Sequence, residues 1–193
     1  MKKLSLAFLL IASIQLVHAD NVLKNSDFTD GAVNWHGDGR TPADMKPQDA
    51  LDTSTTDYGD KGLIIPLKAH EWTKIVQEFK TNNSSLILNI TFKMAPNTVF
   101  STKDEDYTNV PHSIGFDAWL PFNGKRGGWM TMVSDFTKMR IFYDTIIPKP
   151  GNDQETYDET INSLVPEDEK TVCLAFPPGT GAVILLHVSM DTK

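Results

Sequence analysis

Cysteine is almost missing from this chain: Cys173 is the only one in 193 residues, so no disulfide can form within it. Stability must come from packing, and Cys173 itself lies in the apolar run Val172–Phe176, where a small buried hydrophobe is the expected role. Positive charge is also scarce, with 18 Lys and Arg against 25 Asp and Glu and a formal charge of −7. That excess of acid argues against nucleic acid and anionic lipid as partners, since both are bound by basic side chains that replace released counterions. After the first residues no apolar run approaches the roughly 20 residues a membrane helix needs, so no membrane insertion is predicted. The compact motifs of hydrolases, zinc proteases and phosphate-binding loops are lacking as well. His36, His70, His112 and His187 are far apart, with no metal-ligand spacing. These absences weigh against an enzyme, although two carboxylates brought together by a fold would suffice for glycoside hydrolysis.

The N-terminus carries a distinct signal. Lys2 and Lys3 precede an apolar stretch from Leu4 to Ile14, and Val17-His18-Ala19 supplies the small terminal residue that a signal peptidase reads. Residues 1–19 are therefore expected to be a cleavable signal peptide and residues 20–193 a single exported domain, secreted or periplasmic. Loss of the two lysines would take the formal charge to −9.

Beyond the leader, period-two alternation dominates. Leu86, Leu88, Ile90, Phe92 and Met94 share one face of a predicted strand, and Ala182, Ile184, Leu186, Val188 and Met190 share one face of another. Further strands are predicted over 63–67, 74–80, 113–120, 129–136, 139–147 and 171–176, separated by Gly-, Pro- and Asn-rich turns such as Asn82 to Ser85 and Pro177-Pro178-Gly179. The acidic stretch 153–169 is assigned one or two helical turns around Glu159 to Leu164, ended by Pro166. Many short strands without a βαβ rhythm predict an all-β fold: a two-sheet antiparallel β-sandwich, a jelly roll, with little helix.

The segment Asn21-Val22-Leu23-Lys24-Asn25-Ser26-Asp27-Phe28-Thr29-Asp30-Gly31, with Trp35 soon after, resembles the opening of galactose-binding-like jelly-roll domains of the carbohydrate-binding-module type. Ile75 to Phe79, which carries Gln77, resembles a later strand of the same domains, and the strand from Val183 to Asp191 lies where they close beside their first strand. The resemblance implies core roles for Phe28 and Trp35. It also implies a structural calcium, to which Asp27, Asp30 and Asp191 would contribute oxygens. The chain departs from the family pattern at Thr29, where a glutamate is common, and at Ser26, where a glycine is.

A saccharide site needs aromatic platforms for the apolar faces of sugar rings, with polar side chains beside them for the hydroxyls. Trp119 and Phe122 flank Pro121, and Arg126 stands in the loop before Trp129; these four form the expected ligand cluster, although Trp119 and Trp129 also suit a core. Trp72 is a second candidate platform, and Arg140 shares a strand face with Phe142 and Asp144 in a mixture suited either to a glycan-binding sheet or to an ordinary solvent face. The resulting expectation is a non-enzymatic module whose partner is a glycan or polysaccharide. A structural or protein-interaction sandwich meeting another exported protein is the alternative, and a glycan-active hydrolase stands further off.

Overall fold

The structure, a computed structural model, describes residues 20–35, 62–70, 72–103, 127–135, 140–149, 151, 153–162, 164 and 169–193. Among these are ten strands and no helix. They are β1 (Leu63–Pro66), β2 (Thr73–Lys80), β3 (Ser85–Met94), β4 (Val99–Phe100), β5 (Trp129–Asp135), β6 (Arg140–Ile146), β7 (Glu155–Asn162), β8 (Glu169–Phe176), β9 (Gly179–Thr180) and β10 (Ala182–Thr192). The leader and the strand expected at 113–120 lie outside the described residues.

Two four-stranded antiparallel sheets, ordered β1-β10-β3-β7 and β2-β8-β5-β6, pack face to face, and β4 and β9 form a small ribbon. Strict alternation in β3 shows why: every second residue from Leu86 to Met94 is buried and the intervening ones are not. Leu88, Ile90 and Phe92 from β3 meet Ile75, Val172, Leu174 and Phe176 from the other sheet in one apolar cluster. The second sheet is also buried on its opposite face, where Val76, Met130, Cys173 and Ala175 lie. Burial pushes the Cys173 thiol up to about 12, so it is an inert packing group, as its apolar run predicts.

The helical turns expected around Glu159 to Leu164 are corrected: β7 runs through Asn162 and pairs with β3 along its whole length. β7 is an edge strand whose inward positions include Glu155, Tyr157 and Glu159 beside Ile161, so it lacks the apolar alternation that marks an interior strand. Its Tyr157 hydroxyl donates to Asp144 Oδ2 on β6 at 3.0 Å, fastening the rims of the two sheets. Burial first, and the Asp144 carboxylate second, push the Tyr157 phenol well above its ordinary value of 10.0. A raised native pKa means that this group's contribution to stability is complete below pH 10 and is lost as pH rises past it. In a phenolate-absorbance titration, the difference between wild type and Tyr157→Phe is therefore expected to stay flat through the ordinary tyrosine range. Ionisation of that tyrosine near its ordinary value would contradict the clasp.

The N-terminal segment closes the opposite side. Asn21 bridges to Asp191, the Val22 N–H donates to the Met190 carbonyl at 2.9 Å, and the Val188 N–H donates to the Ser26 carbonyl at 2.8 Å. This segment takes the edge of β10 beyond the bulge between Leu185 and His187, whereas β1 holds the residues before it. The family-like glutamine strand now has a physical role. Buried Gln77 accepts from the Lys24 N–H at 2.6 Å and donates from Nε2 to the Lys24 carbonyl at 3.0 Å. One amide thus stands in for a neighbouring strand and ties the segment to the second sheet. Phe28 and Trp35 are buried, with ring centroids 5.6 Å apart, in the core role the resemblance implies.

Candidate functional site

Strand register sorts the molecule into two ends. At one end lie the last residue of β3, the start of β10, the start of β5 and the end of β6, because Met94 pairs with Val183 and Trp129 with Ile146. The N-terminal segment's contact with Met190 and Asp191 marks the other end.

A cleft of about 320 Å³ opens at the first end. Met94 and Ala95 at the close of β3, Asn97 and Thr98 in the following turn, and Phe100 on β4 form one wall; Gly127, Pro148, Lys149 and Gly151 form the other. Thr98 is the pin of the first wall. Its hydroxyl lies 2.7 Å from the Ala95 carbonyl and 3.0 Å from that of Ala182, and it accepts from the Ala182 N–H at 3.0 Å. This fastens the β3–β4 turn to the entry of β10, where Gly181 has φ of 86° and its Cα faces Thr98 so closely that no side chain fits. Asn97 takes the left-handed conformation, φ 62°, that turns the chain back into β4. Phe100 is half-buried, so its ring has a packed side and an open side, and Asn97 and Lys149 are exposed beside it. Flanking this lining in the chain are Val99 and Ile147, exposed by 58% and 52%.

Among the described residues the cleft lining offers an aromatic surface, a proline, an amide and an ammonium group, and no Asp or Glu. That set can hold a ring with an apolar face and hydroxyl edges, but it supplies no pair of carboxylates for acid–base chemistry. A larger groove of about 410 Å³ at the other end is lined by Val22, Lys24, Glu78, Phe79 and Lys80. Its one aromatic, Phe79, is buried in the core, and the rest is mainly charge of mixed sign. The first cleft is accordingly the candidate site.

The expected ligand residues fare differently. Trp119, Phe122 and Arg126 lie outside the described residues. Trp129 requires correction as a ligand platform: it is 0% exposed, stacks on Phe176 at 4.8 Å and meets Phe92 edge-on at 5.3 Å. Trp72 is half-buried just before β2. Arg140 pairs with Asp135, six residues along β5 from Trp129, or roughly 20 Å at ordinary strand rise, so the two do not share a site. The face of β6 carrying Phe142 and Asp144 is turned inward, with Phe142 packed on the core and Asp144 held by Tyr157; neither a solvent face nor an open glycan-binding sheet describes it. Sequence reasoning missed Asn97, Phe100 and Lys149, whose only local signal was Pro-Asn and Pro-Lys-Pro-Gly turn chemistry.

The metal expectation can be tested against donor chemistry. Asp27 Oδ1 is engaged by the Thr29 N–H at 3.3 Å and hydroxyl at 3.1 Å. Asp191 Oδ2 accepts from Asn89 Nδ2 at 2.8 Å and from the Ser189 hydroxyl at 3.0 Å. Among the described residues no three His, Cys, Asp or Glu side chains are grouped to hold an ion, so any calcium here would draw on backbone carbonyls beside these carboxylates.

No protein-family profile matches the chain, and no curated protein matches it in sequence. Solved structures do. The carbohydrate-binding module TmCBM61, determined in complex with β-1,4-galactotriose, is similar with a TM-score of 0.56 at 11% identity, over 91% of this chain and 100% of that one. An arabinose-bound α-L-arabinofuranosidase, MgGH51, is similar with a TM-score of 0.53 at 9% identity, over 89% of this chain and 26% of that one. The tandem CBM22-1–CBM22-2 domain of Xyn10C from Paenibacillus barcinonensis gives a TM-score of 0.52 at 11% identity, over 91% of this chain and 46% of that one. At such identities what is shared is the fold: this chain is an antiparallel jelly-roll β-sandwich.

Proposed function

We propose that this protein is an exported, non-catalytic glycan-binding domain spanning residues 20–193, and that the saccharide lies in the cleft beside Phe100. The observation that carries this reading is the lining itself: a half-open aromatic ring flanked by Asn97, Pro148 and Lys149, with no carboxylate among the described lining residues. The similar module TmCBM61 was determined with galactotriose, which supports the ligand class without identifying the sugar. The dibasic, apolar and small-residue pattern of residues 1–19 supports export, and among the described residues no helix is long and apolar enough to cross a membrane.

The test is a glycan-array screen of the purified chain, followed by calorimetry on any sugar that binds. Phe100→Ala is expected to weaken binding at least about tenfold, the equivalent of about 1.4 kcal/mol, with unchanged near-ultraviolet circular dichroism. Lys149→Ala should weaken it less, because an exposed ammonium group contributes one solvated hydrogen bond. Undiminished affinity in Phe100→Ala would move the site elsewhere. Silence across the array would favour the protein-interaction alternative, for which exposed Val99 and Ile147 are the natural contacts.

A further inference from the structure

Among the described residues that line the cleft, Lys149 alone carries a formal charge. The chain holds it firmly in place. Pro148 before it has a fixed φ, and Pro150 after it in the sequence disfavours a helical backbone at Lys149 itself. The Lys149 N–H donates to Glu155 Oε1 at 2.9 Å, which ties this stiff segment to the first residue of β7. The Glu155 carboxylate is thus engaged by the main chain of Lys149. Among the described residues no hydrogen bond or ion pair occupies the exposed ammonium group. An ammonium group offers three donors and no acceptor, so its strongest partners are groups that carry negative charge and only accept. A sugar hydroxyl takes one solvated hydrogen bond from it, whereas a carboxylate or sulfate ester takes a charge-assisted one. Its neighbours suit the rest of such a ligand: the open side of Phe100 fits a ring face, and the exposed Asn97 amide both donates to and accepts from hydroxyls.

We infer that the cleft prefers saccharides bearing an anionic substituent, a uronate carboxylate or a sulfate ester, and that Lys149 is the residue that selects them. This rests on the reading of the cleft as a glycan site. Lysine is a compact charge without the planar fork of arginine, so either anion fits it. The chain's formal charge of −7 opposes any anionic ligand at long range, but at physiological salt charges separated by more than about 8 Å are largely screened from one another. The preference is therefore set at contact distance. For an exposed ion pair it amounts to about threefold to fivefold in affinity.

The experiment is calorimetry of the full chain against matched pairs of oligosaccharides that differ in charge. Uronate oligosaccharides of gluco, galacto and manno configuration are each compared with their methyl esters, and sulfated oligosaccharides with their desulfated forms. Wild type is expected to bind the anionic member of a pair about three to five times more tightly, and the two arms show which anion it takes. Lys149→Gln should bring the two members to equal affinity, and Lys149→Arg, which keeps the charge, should retain the preference. Phe100→Ala should weaken both members alike. Wild type binding the neutral members as tightly as the anionic ones, or more tightly, would overturn the inference and leave the glycan reading standing. A preference that survives in Lys149→Gln would overturn it too, since the selecting charge would then lie elsewhere. Silence on every pair would overturn the glycan reading and this inference together.

Discussion

Replacing Trp129 with alanine is expected to unfold the domain rather than to remove ligand binding from an intact one. The indole lies wholly inside the sandwich, stacked on Phe176 of the neighbouring strand and edge-on to Phe92 of the facing sheet. Truncating an aromatic of this size in a packed interior costs about 3–5 kcal/mol, because the lost apolar burial is compounded by a cavity that rigid sheets cannot close. Total stability of a domain this size is about 5–15 kcal/mol, so the variant would be left marginal. Urea unfolding followed by tryptophan fluorescence should register a midpoint far below wild type. Trp129→Phe should cost much less: among the described residues the indole Nε1 has no hydrogen-bond partner, so phenylalanine gives up volume without giving up a bond. A Trp129→Ala protein with near-native stability but no ligand affinity would return Trp129 to the site.

Gln77→Leu is the second large effect. Gln77 is 2% exposed and holds both backbone groups of Lys24, so leucine fills the space but satisfies neither the N–H nor the carbonyl. Two lost hydrogen bonds, with polar groups left against the interior, amount to about 2–4 kcal/mol. The loss should be local first. Hydrogen exchange at the Lys24 amide is expected to accelerate strongly, together with exchange across residues 21–35, while amides of β3 and β10 keep most of their protection. Unchanged exchange at Lys24 would mean that the Gln77 amide is a passive filler and that the segment is held by β10 alone.

These two positions also show how far local pattern reaches. Residues 129–133 read Trp-Met-Thr-Met-Val, and alternation says which of them share a face. It does not say which face is open, since Trp129, Thr131 and Val133 on one face and Met130 on the other are all buried. Gln77 stood out only through its resemblance to a family strand; its partner, Lys24, is 53 residues away. The same distance problem hid Tyr157, whose Asp144 contact draws β7 into the sandwich although the strand is acidic along its length.

The sequence by itself determined the architecture. The alternating run that became β3 carries its own period, and the turns between strands are written in Gly, Pro and Asn, so an antiparallel all-β sandwich follows from chemistry confined to neighbouring residues; the single face expected for the last strand is corrected, because the bulge between Leu185 and His187 puts Val183 and Leu185 with Val188 and Met190 in the main core and leaves Ala182, Ile184 and Leu186 in a separate cluster. It also placed Phe28 and Trp35 in the core, through a short motif whose residues lie close together. Only the tertiary structure brought the lining of the cleft together. The cleft gathers Asn97 and Phe100 from one turn, Gly127 from another and Lys149 from a third, and no local period relates them. Pattern along a chain reports which residues travel together; which surfaces meet is fixed by register and loop closure, the terms that arise only when distant segments are brought face to face.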